Sequence, residues 1–150
     1  MKNRNVTFTT ILIVLGCFAL LQRAQGVLPA PDGCYPGFTT AEGCNALKSL
    51  TSGAGNTGVG WYSLSSDTTH SYNTGVGAGA LFLNNADSNT AVGTAAMLLN
   101  TSGTANVAVG TDALVYNDSG NFNTAVGQNA LFRNTTGSEN TASGSGALTS

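Results

Sequence analysis

A phrase of seventeen residues recurs through most of this 150-residue chain and limits its possible folds more than any other feature. The copies begin at positions 39, 56, 73, 89, 106, 123 and 140, so one interval is 16 residues and the others are 17. When each copy is numbered from 1 to 17, position 5 is always Gly, position 8 is Ala or Ser, and position 9 is Leu or Met. Repetition at a fixed period indicates stacked, nearly identical structural units.

The length and pattern of the unit favour strands over helices. Seventeen residues are too few for two helices, and the apolar residues lack the 3.6-residue spacing of an amphipathic helix. Positions 2 to 4 alternate as a strand does, positions 8 and 9 suggest a second extended piece, and Gly and Asn between them suit tight corners. The sequence therefore predicts an all-β fold, a parallel β-solenoid or β-roll of about seven 17-residue coils over residues 39–150.

Equivalent residues of stacked coils should form columns. We expect Val at position 4 and Leu or Met at position 9 to point inward, with Asn and Thr ladders along the corners, where stacked amides can hydrogen-bond to one another. The predicted core ladder consists of Leu47, Val59, Leu64, Val76, Leu81, Val92, Met97, Val109, Leu114, Val126, Leu131 and Leu148.

Position 3 carries only Ala or Gly, whereas a solvated face would also carry larger polar residues. Close packing against a second copy of the chain would explain this restriction, and the alternative is that position 3 forms another inward face of a flattened coil. The predicted self-association face consists of Ala41, Gly58, Gly75, Ala91, Ala108, Ala125 and Ala142.

The first 26 residues have the pattern of a secretory signal peptide. Lys2 and Arg4 precede an apolar run at 11–21, and small residues at 24 and 26 suit cleavage after Gly26. A retained membrane anchor and lipidation at Cys17 are the alternatives. We expect no membrane association after cleavage and a secreted or cell-surface location. Residues 27–38, rich in Pro, would then cap the solenoid.

Cysteine usage agrees with export. Beyond the leader the chain has Cys34 and Cys44, ten positions apart, which favours a disulfide at the N-terminal end of the fold. Free thiols are the alternative, and a metal site is disfavoured because the chain's single histidine, His70, lies far along the sequence.

Charge and chemistry exclude several function classes. Of five Lys and Arg residues, three lie in the leader, which leaves Lys48 and Arg133 against seven acidic residues and a formal charge of −5. Nucleic acid and anionic lipid are bound chiefly through Lys and Arg, so neither is an expected partner. We find no catalytic constellation, cofactor motif or metal motif, and we interpret His70 as a surface loop residue. The sequence predicts that the protein is not an enzyme.

Two further features suggest surface chemistry. Asn100, Asn117 and Asn134 each begin an N-x-S/T acceptor and would form a row of glycosylation sites, unless they serve only as corner residues. An aromatic row that includes Phe82 and Phe132 at position 10 would either bind sugars or a partner, or seal the corner by packing.

The stretches NTAVGTAAMLLNTSG, NVAVGTDALVYNDSG and NTAVGQNALFRNTTG resemble the head repeats of YadA-like trimeric autotransporter adhesins. The region around Cys34 and Cys44 is also similar to exported bacterial proteins built from NTAxGxxAL repeats. The resemblance implies a left-handed, trimeric β-roll at the cell surface that adheres to matrix or to other cells. This chain departs from those heads in its period of 17, which is nearer 14 there.

We therefore expect an exported structural or adhesive protein that self-associates, either as a trimeric head or as the subunit of an extracellular fibre. Its partners would be itself and a matrix protein or glycan. The alternatives are a solenoid that binds ice or polysaccharide and a segment of a phage-type fibre. The expected inward orientation of the Thr column at position 2 weighs against ice binding.

Overall fold

The computed structural model describes residues 37–150, and the predicted signal peptide, Cys34 and all but two residues of the predicted capping segment lie outside this range. The described part is a β-solenoid with seven short parallel strands and no helices, so the predicted fold class is confirmed. The strands are β1 Thr40–Glu42, β2 Thr57–Val59, β3 Thr74–Val76, β4 Thr90–Val92, β5 Val107–Val109, β6 Thr124–Val126 and β7 Thr141–Ser143.

Each strand comprises positions 2 to 4 of one coil, and the strands form a single sheet in sequence order. The register is continuous, with position 3 of each coil beside position 3 of the next. Thr74 pairs with Thr90 even though this coil is one residue shorter, so the missing residue is absorbed at a corner away from the sheet. The rest of each coil consists of turns that hydrogen-bond to the adjacent coils.

The glycine column at position 5 shows why the repeat admits no exception there. These glycines have φ between 114° and 136°, outside the range that other residues adopt readily. A Cβ atom on Gly110 would lie 2.7 Å from the backbone of Gly127 in the next coil. Backbone therefore stacks directly on backbone at this corner.

The position 9 residues also adopt left-handed backbone, although they are large and apolar. Their φ angles lie between 49° and 55°, and their side chains form one buried file from Leu47 to Leu131. Leu148, in the last described coil, is 57% exposed. Burial of the side chain offsets the cost of the backbone conformation.

The interior pairs the position 9 file with two columns of small residues, at positions 3 and 8. The valines at position 4 lie outside this core, which corrects the predicted ladder: Val59 and Val76 are half-buried, and Val92, Val109 and Val126 are exposed. A coil this narrow has room for one large side chain, so Leu reaches across and meets Ala or Gly opposite. The strand alternation was predicted correctly, but the wrong side was assigned to the interior.

Within residues 37–150, no helix is long and apolar enough to span a membrane.

Candidate functional site

The outer side of the sheet is the most regular surface of the described structure. Positions 2 and 4 of every coil point outward there, and we call this set the sheet face. It consists of Thr40, Glu42, Thr57, Val59, Thr74, Val76, Thr90, Val92, Val107, Val109, Thr124, Val126, Thr141 and Ser143. Glu42, on the first strand, is its one charged member.

The sheet face presents methyl groups and hydroxyls in a two-dimensional array. Val92, Val107, Val109 and Val126 are 36–41% exposed, and the threonines beside them are half-buried or exposed. Adjacent strands lie about 4.8 Å apart, and residues two apart on a strand lie about 6.7 Å apart. The face is therefore a grid with nearly constant chemistry at each point, not a pocket.

The residues predicted to form a self-association face occupy the opposite side of the strands. Ala91, Ala108 and Ala125 are completely buried against the chain's own position 9 side chains, and the glycines of that column are buried too. The prediction for Ala41, Gly58, Gly75, Ala91, Ala108, Ala125 and Ala142 is therefore wrong. Position 3 is small because the interior of one coil leaves no more space, which was the alternative interpretation.

The asparagines predicted to carry glycans also face inward. Asn100 and Asn117 are fully buried, and the Nδ2 of Asn117 donates to the Oδ1 of Asn100 at 2.7 Å and to the carbonyl of Gly120 at 2.9 Å. Asn134 continues the ladder by donating to the Oδ1 of Asn117 at 3.1 Å. A sugar on Nδ2 cannot coexist with these bonds. This placement contradicts the predicted row of glycosylation sites.

A second ladder runs up position 1. The Oδ1 of each asparagine accepts the backbone N–H of the asparagine in the next coil at 2.8–3.0 Å, from Asn56 through Asn140. Within the described range, every buried side-chain nitrogen or oxygen has a hydrogen-bond partner. The two ladders thus fill the polar end of each coil, so their amides are structural and offer nothing to a ligand.

Aromatic side chains lie on the corners around the sheet. Trp61 is 61% exposed and stands edge-on to Tyr62, with ring centroids 4.4 Å apart, and Tyr62 lies 5.8 Å from Phe82. Tyr72 and Phe122, each two residues ahead of a strand, are also exposed. Phe82 and Phe132 at position 10 are half-buried, and Phe132 packs edge-on against Tyr116. Position 10 thus has the packing contacts of a sealed corner, whereas Trp61, Tyr72 and Phe122 leave exposed apolar rings two residues from the end of a strand.

The structure also shows the environments of Cys44 and His70, which the sequence had singled out. Cys44 is exposed and has no disulfide partner among the described residues, and because Cys34 lies outside them the disulfide stays a prediction. His70 is not a free loop residue, since its Nδ1 lies 3.3 Å from the Oδ1 of buried Asp67. Sequence reasoning missed this contact, although both residues depart from the repeat in the same coil, at positions 12 and 15.

The described residues contain no group of three or more His, Cys, Asp or Glu side chains placed to hold a metal ion. Comparison of the chain with protein families, with curated proteins and with solved structures finds no significant match. The class of protein is therefore defined by the fold alone, which is a parallel β-solenoid with a regular Thr/Val face.

Proposed function

We propose that the chain is an exported structural or adhesive protein that self-associates through the sheet face and has no catalytic activity. The observation that supports this most directly is the group of exposed valines on the outer side of a sheet that carries one charge in seven strands. Apolar area of this kind gains free energy when a partner removes it from water, at about 25 cal/mol per Å².

The size of the sheet face constrains how association would occur. Seven strands at about 4.8 Å spacing and two columns about 6.7 Å apart make a strip of only a few hundred Å². A stable interface buries about 800 Å² on each partner. The exposed rings of Trp61, Tyr72 and Phe122, each two residues from a strand, would widen the contact. We therefore propose an interface that comprises the strip and these corners in a trimeric head or a fibre.

The location and partners follow from the same proposal. The signal-peptide pattern supports a secreted or cell-surface location, and the repeat resembles adhesin heads, which supports adhesion to a matrix protein or glycan. The two cations beyond the leader, Lys48 and Arg133, give no basic patch for nucleic acid or anionic membranes.

A second candidate function is binding to a crystalline surface such as ice or an ordered polysaccharide. The outward orientation of the Thr column supports it, because outward hydroxyls can contact such a surface. The inward orientation expected from the sequence had weighed against this function. Hydrogen-bonded water oxygens about 2.75 Å apart in tetrahedral order repeat at about 4.5 Å, close to the spacing between coils. Val107 interrupts the Thr column, which makes self-association the better supported function.

Sedimentation velocity of residues 27–150 tests the leading proposal. We expect an oligomer at micromolar concentration, and we expect Val109→Glu to dissociate it, since the substitution buries a charge in the interface without touching the chain's own core. Thr136→Glu is the matched control, because Thr136 is exposed at position 14, outside both the sheet face and the corner positions 6 and 17 that carry the exposed rings. A wild-type chain that stays monomeric would exclude self-association, and thermal hysteresis in that monomer would favour ice binding instead.

A further inference from the structure

One corner of the solenoid replaces the buried amide ladder with an ionisable pair. Position 12 is Asn in the coils from 73 to 139, but it is Asp67 in the second coil, and position 15 of that coil is His70 where four coils have Gly. Asp67 is completely buried and the imidazole of His70 is about three-quarters buried. Both departures fall on one corner and contact each other, so they form a single local feature.

The hydrogen bonds of this corner differ from those of a regular one. At the regular corner, Asn117 both donates, to Asn100 and Gly120, and accepts, from Asn134. An ionised Asp67 can only accept. Its Oδ1 receives the backbone N–H of His70 at 3.1 Å and lies 3.3 Å from Nδ1 of the ring, and its Oδ2 receives the Nδ2 of Asn73 at 3.0 Å.

The corner that follows the imidazole along the solenoid is one residue shorter than a regular corner. At Gly120, a Cβ atom would lie 2.3 Å from the carbonyl oxygen of Gly137 in the next coil, so regular corners exclude any side chain. The coil that follows His70 is the 16-residue one, and the missing residue is at this corner. The Nδ2 of Asn84 donates to the carbonyl of Ala86, two residues further on, whereas the Nδ2 of Asn117 donates to the carbonyl of Gly120, three residues further on. Asp67, His70 and the shortened coil are therefore three departures from the repeat that occur at the same place in the solenoid.

The charges around the pair favour uptake of a proton. Burial raises the pKa of the Asp67 carboxyl, and the hydrogen bonds and charge of His70 and the bond from Asn73 oppose that rise only in part. The coil before contributes uncharged Leu50 and Gly53 at this corner. The coil after contributes Asp87, an exposed carboxylate that accepts the N–H of Ser71 at 2.7 Å and adds negative charge nearby.

With the carboxylate ionised and the imidazole neutral, the pair carries one buried negative charge. Uptake of one proton removes that net charge, and the 3.3 Å contact between Nδ1 of the ring and Oδ1 of the carboxyl offers the proton a place on either group. A protonated ring makes a charge-assisted bond to Asp67, and a protonated carboxyl avoids a buried ion. Either state costs less to bury than the unprotonated pair.

We propose that Asp67 and His70 form a pH-responsive latch that holds the corner of the second coil more tightly in mildly acidic solution than at neutral or alkaline pH. The folded corner binds the proton more strongly than the unfolded chain does. Because burial raises the pKa of Asp67, the stability contributed by that proton is present at low pH and is lost as the pH rises through the folded pKa of this carboxyl. The regular corners of later coils have no such group and stay equally closed.

Hydrogen exchange on the full-length chain tests the latch, with the corner at 117–120 as an internal reference for the intrinsic pH dependence of exchange. We expect the opening of the 67–70 corner, relative to that reference, to increase as the pH is raised from about 4 to about 8, by up to about tenfold per pH unit where Asp67 loses its proton. The double variant Asp67→Asn with His70→Gly, which installs the regular side chains, should abolish this dependence.

A single variant separates the latch from a general effect on folding. His70→Gly leaves the carboxylate without its imidazole, so the corner should open more than wild type at neutral pH and close again when Asp67 is protonated. A wild-type ratio that is constant with pH, or that falls as the pH rises, would overturn the proposal. So would a double variant that retains the wild-type dependence.

Discussion

The coils before residue 89 and those from 89 to 139 share one backbone but differ in the side chains that line it. The later coils repeat Asn at position 12 and Gly at position 15, and their amides form a continuous ladder. The earlier coils place Leu50, Asp67 and Asn84 at position 12, yet their strands pair in the same register. Backbone stacking and the position 5 and 9 columns therefore maintain the register, and the polar corner tolerates different chemistry where each buried group keeps a partner.

The two regions also differ at positions 3 and 8. Later coils pair Ala with Ala, whereas Ser63 in the second coil faces Gly75 in the third. The hydroxyl of Ser63 donates to the carbonyl of Gly75 at 2.8 Å, and a Cβ atom at position 75 would lie 2.5 Å from that oxygen. Ser63, which is larger than the usual Ala, is thus matched by Gly75 in the next coil, which is smaller than the usual Ala.

The largest effect should come from adding a methyl group to the shared glycine column. Gly110→Ala places Cβ 2.7 Å from the backbone of Gly127 and should destabilise the fold by about 4 kcal/mol or more, or prevent folding. Gly144→Ala is the matched control, since Gly144 has a similar φ of 121° with nothing within 4 Å of its Cβ position. Urea unfolding measures both, and equal losses would show that backbone strain, not stacking, restricts this column.

A carboxylate placed in the regular ladder should reproduce the buried charge of the second coil without its histidine. Asn117→Asp turns an oxygen toward the acceptors on Asn100 and Gly120, so we expect a loss of about 3 kcal/mol at neutral pH. The folded carboxyl would have a raised pKa, and the variant should approach wild-type stability as the pH falls toward 4. Thermal unfolding across pH checks this.

The control for that substitution is Asn121→Asp. It lies four residues further on, at the position that Asp87 occupies in the short coil, where a carboxylate already accepts a backbone N–H. Asn121→Asp loses the bond that Nδ2 donates to the carbonyl of Ser119 at 3.0 Å, so we expect a small fall in melting temperature that changes little with pH. A pH-independent loss in Asn117→Asp would contradict the assignment of its effect to buried charge.

The smallest effect concerns the Ser63 and Gly75 pair. Gly75→Ala should destabilise the wild-type chain by about 1–2 kcal/mol, because the new methyl group meets the Ser63 hydroxyl. In a Ser63→Ala background the same change restores the Ala pair of later coils and should be neutral or stabilising. A double-mutant cycle by chemical denaturation measures the coupling, and additive effects would show that the two positions are independent.

Sequence reasoning reached the fold because the repeat encodes it directly. Gly at position 5 and Ala-Leu at positions 8 and 9 recur so regularly that only stacked coils place them in columns. The same reasoning assigned Val109 to the interior and Ala108 to a surface, because both residues are apolar and a three-residue strand shows alternation without showing which side is enclosed. The width of the coil decides that, and width is a property of the closed chain.

The contact between Asp67 and His70 also could not be predicted from the repeat pattern. Their separate departures were visible in the sequence, but their contact depends on the corner's path and on the shortened coil that follows. The asparagines of the N-x-S/T acceptors likewise match a surface motif, and only the closed ladder shows that Asn100 and Asn117 face inward.

By itself the sequence determined the period, the parallel stacking and the positions where glycine is obligatory, because each coil must repeat the backbone of its neighbour. Tertiary structure alone decided which side of each strand is the interior, that leucines adopt left-handed backbone, and which polar groups meet at a corner. The physical reason is that local patterns specify alternation and turns, whereas the enclosed volume, the burial of charge and the pairing of amides exist only after the coils have stacked.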